Sequence, residues 1–182
     1  MLKPEYFVFD DLIQKRLFRI PNFQRAYSWE KKQRSDLLDD IIKVYYKEKE
    51  TKQEFAHFMS TVVCLEHEIP KITIGASEFE CLDIVDGQQR LTTLIILLKS
   101  ISNALRKGNK QHKEYAKAID LLLIKQKNDE AILLQTNHDN SRYLTTFLKT
   151  GKITVDSENV SKTADKNLIN AIKECEAFIN RW

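Results

Sequence analysis

The chain is poor in glycine, proline and cysteine, with four, three and three among 182 residues. Glycine and proline together fall well below the roughly 12% of an average protein, which predicts a helix-rich chain with few irregular stretches. Cys64, Cys81 and Cys175 are odd in number and form no CxxC pair. That excludes a disulfide framework and a CxxC metal site, and fits free thiols in a reducing compartment. Long apolar runs are missing too. The longest, Leu94–Leu98, is far short of a membrane span, and the opening MLKPEYFVFDD has no apolar signal core. The expected location is therefore cytoplasmic, with no membrane partner. No GxxxxGK[ST] sequence occurs, so a P-loop is excluded. The four histidines (His57, His67, His112 and His138) lack metal-ligand spacing, so no metal site is expected from the protein alone.

What is present is a chain of 21.4 kDa, 42% hydrophobic and 30% charged. That is one ordinary domain, able to bury about 70% of its unfolded surface. Net charge is only +3, but its distribution is uneven. Residues 51–98 carry three Lys/Arg against seven acids, and residues 99–127 carry eight against two. A solvated helix face beside a lysine-rich loop is the plainer reading of the basic block. A contact to a phosphate backbone is the sharper one.

Phe9–Lys15 reads as a helical turn and Leu17–Ile20 as a strand stopped by Pro21. Ser28 is positioned to cap a helix over Glu30–Lys47, with Leu37, Leu38, Ile41, Ile42 and Tyr45 on one face. Phe55–Leu65 and Phe79–Val85 are β-branched and aromatic enough for strands, with Pro70 and Gly75 suggesting a hairpin between them. Leu91–Leu105 is a strongly apolar helix ended by Gly108–Asn109. A helix over Lys113–Lys125, a short segment at Ile132–Gln135 and a helix from Asp139 to Leu148 follow. Thr150–Lys162 reads as loop. Leu168, Ile172, Cys175, Ile179 and Trp182 form a helical seam running to the last residue, so a longer parent chain is expected.

Chemistry concentrates in two segments. One is Ile20–Trp29 (IPNFQRAYSW), a polar loop flanked by aromatics. The other is Ile84–Leu94 (IVDGQQRLTTL), a strand-turn-helix junction. Gly87 allows a tight turn and close ligand approach. The amides beginning the next helix, with Arg90, two glutamines and two threonines, make an anion site. Phosphate is the obvious anion. Asp86 would repel it unless it holds Arg25, Arg90 or a bridging Mg²⁺. The plain alternative is an Asp cap, a Gly turn and a packed helix with Arg90 in a salt bridge. For the first segment the alternatives are Phe23, Tyr27 and Trp29 as core, or Gln24 and Arg25 facing Arg90 across a cleft. His57, Cys64 and Cys81 read best as strand residues turned inward.

IPNFQRAYSW together with DGQQRLTTL resembles the N-terminal domain of GmrSD-type, modification-dependent (type IV) restriction proteins, a domain related to the ParB/sulfiredoxin fold. LLDDI, His57-Phe58 and NHDNSRYLTTFL fall in the family's order, although Met59-Ser60 stands where members often have Gly. The resemblance implies an α/β (α+β) fold: a small mixed sheet with packed helices. It has a nucleotide-binding core over 1–110 and a helical extension over 111–182. It also implies an NTP-hydrolysing regulatory domain in phage defence. Asp86, Gln88, Gln89 and Arg90 would be catalytic. Gln24, Arg25, Gly87, Arg90, Thr92 and Thr93 would bind nucleotide, with His57 a further candidate and Mg²⁺ accompanying the NTP through Asp86. Its partners would be modified DNA and an HNH-type nuclease domain beyond the C-terminus. The rival expectation is a non-enzymatic DNA-binding module that uses the same arginines and the 99–127 block.

Overall fold

A computed structural model describes residues 4–55, 59, 61–125, 132–136, 141–153 and 162–181. Its centre is a mixed sheet of β1 (Arg16–Ile20), β2 (Val63–Ile74), β3 (Ser77–Asp86) and β4 (Leu134–Thr136), in the order β2-β3-β1-β4. β1 runs parallel to both β3 and β4, while β2 and β3 pair antiparallel. Leu17, Phe18 and Ile20 of β1 are all buried, as suits a strand with neighbours on both sides. Arg19 lies opposite Asp83, and the two meet in a forked ion pair at 2.9 and 2.8 Å that fixes the β1–β3 register. That carboxylate holds the Arg19 guanidinium above its ordinary pKa. The fold is thus the expected α+β type.

The hairpin departs from expectation at Pro70. The turn is Gly75-Ala76, with Gly75 at φ 60°, and Pro70 sits inside β2 within the register shift between Glu66 and Lys71. β2 is an edge strand, where a residue without an N–H loses no ladder bond. β2 begins only at Val63, and the described residues Phe55, Met59, Thr61 and Val62 are outside any strand. His57 and Phe58 lie outside the described residues.

Among the described residues, six helices accompany the sheet: α1 (Phe9–Gln14), α2 (Lys31–Thr51), α3 (Gln88–Leu105), α4 (Lys110–Leu123), α5 (Ser141–Thr150) and α6 (Thr163–Ile179). Glu30, not Ser28, caps α2, through a capping box in which Gln33 accepts from the Glu30 N–H at 3.1 Å. α3 stops at Leu105 with Arg106 as its C-cap, ahead of the expected Gly108–Asn109 end. Asn109 instead caps α4, its side chain accepting from His112 N at 2.9 Å, so α4 starts earlier than Lys113. Residues 139–140 of the expected fifth helix, and Trp182, lie outside the described residues, as do 154–161 of the expected loop.

α3 is the axis of the molecule, touching α4, α5 and α6. Its Leu91, Ile95 and Ile96 join Phe18 and Ile84 of the sheet in one core. Leu123, Leu134, Phe147 and Ile172 belong to the same core, so residues beyond 110 complete the sheet and its cover. Each such side chain contributes about 1.5–3 kcal/mol on burial. Among the described residues, no helix is long and apolar enough to cross a membrane.

Candidate functional site

The site is built on the turn that joins β3 to α3. Gly87 adopts φ 85°, and a Cβ there would stand 2.9 Å from the Thr61 carbonyl oxygen and 3.1 Å from Val62 Cα. Only glycine fits both the left-handed backbone and that space. The turn launches α3 directly from the sheet. Gly87 is the N-cap residue and supplies no side-chain cap, while Asp86 Oδ1 accepts from the Gly87 N–H at 2.8 Å. Among the described residues, the N–H groups of Gln88, Gln89 and Arg90 meet no acceptor, and Leu91 N is the first to bond, to Gly87 O at 3.1 Å. Three open amides at a helix start carry the positive end of its dipole.

The loop Gln24–Trp29 lies across this turn because the glutamines hold it there. Gln24 Nε2 donates to Val85 O at 3.0 Å, and Gln88 Nε2 donates to Arg25 O at 3.0 Å. Gln89 Oε1 accepts from Ser28 N and Trp29 N at 2.8 and 3.3 Å, and its Nε2 donates to Ala26 O at 3.2 Å. Both ends of the Gln89 amide are therefore engaged with this loop. In Gln88, the Arg25 carbonyl fixes which end is the donor. Gln88 Oε1 is left buried without a partner.

Arg90 Nη1 donates to the Met59 carbonyl at 2.7 Å, and its guanidinium lies 5.8 Å from the Trp29 ring. Its buried Nε has no partner among the described residues. The Met59 backbone is thus what receives Arg90. Together these residues wall an open cleft of about 240 Å³, lined by Gln24, Arg25, Trp29, Thr61, Val85, Asp86, Gly87, Gln88, Gln89 and Arg90. Arg25 is exposed at its rim. Asp86 forms no ion pair with Arg25 or Arg90 among the described residues.

Thr92 and Thr93 are not brought to the cleft. Their hydroxyls donate back to Gln88 O and Gln89 O, both at 2.8 Å, and Thr93 also meets the Tyr27 hydroxyl at 2.8 Å. Burial pushes that phenol up to about 12. Thr92 and Gln88 instead line a small neighbouring pocket of about 20 Å³, room for one water. Of the supposed aromatic core, Tyr27 is buried but Phe23 is 76% exposed. Trp29 belongs to the cleft wall, as does Thr61. Nothing in the sequence marked Thr61, and YSW marked Trp29 only as an aromatic.

The basic block is largely engaged within the chain. Lys99, 3% exposed, lies 2.9 Å from Asp120, which also accepts from Ser102 at 2.9 Å and from Arg106. Burial opposes ionisation of Asp120, yet these donors outweigh it and hold the carboxyl below its ordinary range. Lys117 pairs with Glu114, and Lys125 donates to the Ile13 and Gln14 carbonyls. Among the described residues of the block, Lys107, Lys110 and Lys113 are in no ion pair, and Lys127 lies outside the described residues. Of the histidines, His67 Nδ1 accepts from Ile69 N at 2.9 Å, and His57 and His138 lie outside the described residues. No group of three potential metal ligands occurs among the described residues.

A family model for the N-terminal domain of the GmrSD restriction endonuclease matches residues 8–181, which includes both halves of this cleft. The chain belongs to that family. A comparison with curated proteins finds no match. As a GmrSD N-terminal domain, the chain takes its place in a restriction system, the setting of phage defence. Its IPNFQRAYSW and DGQQR segments, far apart in sequence, form the two walls of one cleft.

Proposed function

We propose that this GmrSD-family domain binds a nucleoside triphosphate in the cleft and hydrolyses it. It would serve as the regulatory part of a modification-dependent restriction protein whose HNH-type nuclease resides in a further domain. The observation that carries the reading is the coincidence of three open amides with a buried, unpartnered Arg90 Nε on one accessible cleft. An anion such as phosphate satisfies both at once. The amides and Arg90 take phosphate oxygens, and Arg25 at the rim adds a second guanidinium. Gln24, Gln88 and Gln89 hold the loop in place. Mg²⁺, where it accompanies the NTP, neutralises phosphate charge. One carboxylate plus phosphate oxygens is a usual set for it, and Asp86 has Oδ2 left to give.

Titration calorimetry with each Mg²⁺–NTP at fixed salt tests the reading. Arg90→Lys keeps the charge but loses the fork, so affinity falls about tenfold or more, since one charge-assisted hydrogen bond is worth roughly 1.5–3 kcal/mol. Its melting temperature stays near wild type. Asp86→Asn, which still accepts from Gly87 N, spares binding more than turnover. If wild type shows no saturable binding while Arg90→Lys melts far lower, Arg90 is a packing residue and the nucleotide reading fails. The DNA-binding alternative predicts instead affinity that collapses with salt and with loss of Lys107, Lys110 and Lys113.

A further inference from the structure

We propose that α6 sets the position of Trp29, and so the width of the cleft, by clamping the Ser28–Trp29 backbone against the DGQQR turn through Arg34. The N–H side of this dipeptide is held by α3, because Ser28 N and Trp29 N both donate to Gln89 Oε1 at 2.8 and 3.3 Å. Its carbonyl side is held from elsewhere. Arg34 Nη1 donates to Trp29 O, and Asn167 Nδ2 reaches Ser28 O at 3.5 Å. Arg34 is in turn gripped by α6: its Nε and Nη2 each lie 2.8 Å from an oxygen of Glu174. Asn167 and Glu174 are two helical turns apart, hence on one face of α6.

The Arg34 side chain is 2% exposed and Glu174 31%. Burial opposes the Arg34 charge, yet Glu174 holds the guanidinium above its ordinary pKa. A planar fork with three donors assigned cannot swing without leaving a half-buried carboxylate or carbonyl unpaired. The linkage therefore transmits displacement rather than absorbing it. The dipeptide has α3 on one side and α6 on the other, and its Trp29 ring faces Arg90 in the cleft. A shift of α6 moves the cleft wall, and a ligand that draws in the first turn of α3 pulls on α6. This second direction rests on the nucleotide reading; the first does not.

Amide exchange followed residue by residue separates the two. Without ligand, Glu174→Asp, which withdraws the carboxylate by one methylene, speeds exchange at Ser28 and Trp29 at least tenfold, and Glu174→Gln does so further. Asp120→Asn serves as a control for general destabilisation, because it breaks an ion pair away from the clamp. It leaves those two amides within about twofold of wild type. Unchanged Ser28 and Trp29 in Glu174→Asp, or an equal rise in Asp120→Asn, overturns the clamp. With each Mg²⁺–NTP at saturating concentration, wild type gains protection at 88–90 and along Leu168–Cys175. Glu174→Asp keeps the first gain and loses the second. Protection at 88–90 without any in α6 overturns transmission to α6. Protection nowhere refutes the nucleotide reading, while the ligand-free comparison still decides the clamp.

Discussion

The two ends of α3 treat their buried polar groups in opposite ways. Toward its C-terminal half, Lys99 and Ser102 converge on Asp120 with Arg106, and Asn109 caps the helix that follows. Every one of these groups has a partner. At the N-terminal end, three amides, Gln88 Oε1 and Arg90 Nε have none among the described residues. Buried polar groups are normally satisfied, and each exception calls for a ligand or a water. One helix thus carries a closed end that secures the fold and an open end available to a ligand. The contrast sets the DGQQR turn apart from an ordinary helix start.

Mutations at the two ends should separate stability from binding. Asp120→Asn leaves Lys99 buried without its counter-charge, and should cost about 3–5 kcal/mol in a urea melt while calorimetric NTP affinity is unchanged. Because Asp120 is held below its ordinary range, its contribution is complete above the usual carboxylate pKa and is lost as pH falls through the folded value. Gly87→Ala combines a left-handed backbone with a clash against the Thr61 carbonyl, and should cost on the order of 2–3 kcal/mol. Unlike Asp120→Asn, it should abolish binding as well. Asn109→Ala removes an ordinary cap, costing about 1 kcal/mol with no effect on the cleft. The smallest effect concerns Lys125, whose pKa burial lowers from 10.5 to about 8. The unfolded chain holds that proton across this window and the folded one does not, so stability should rise slightly from about pH 8 to 10.5. Lys125→Met should flatten that rise in pH-dependent melts.

Elements whose apolar period is long and regular were legible in the sequence, α3 and α6 above all. So was the meeting of two distant motifs at one cleft. Boundaries failed where one residue serves two structures. Asn109 looked like the end of one helix and is the start of the next, and Ser28 looked like a cap although its N–H belongs to Gln89. Pro70 read as turn because an edge position is a property of the sheet, not of the local sequence. The same holds inside the site. That Gln89 is a scaffold, and that Thr92 and Thr93 face inward, depends on where a loop sixty residues earlier comes to rest. The tie to the ParB/sulfiredoxin fold stands on the motif resemblance alone.

The sheet order also dictates a sequence of events during synthesis. β1 emerges first from the ribosome, yet its two neighbours are β3 and, much later, β4. The β2–β3 hairpin is local and can pair as soon as its turn is out, whereas β1 must wait exposed with Leu17, Phe18 and Ile20 uncovered. Only when residue 136 has cleared the exit tunnel can the central strand be flanked on both sides. The nascent chain therefore carries a central strand that is unpaired until β3 is out and open along one edge until β4 follows, the interval in which chaperone capture or misassembly would begin.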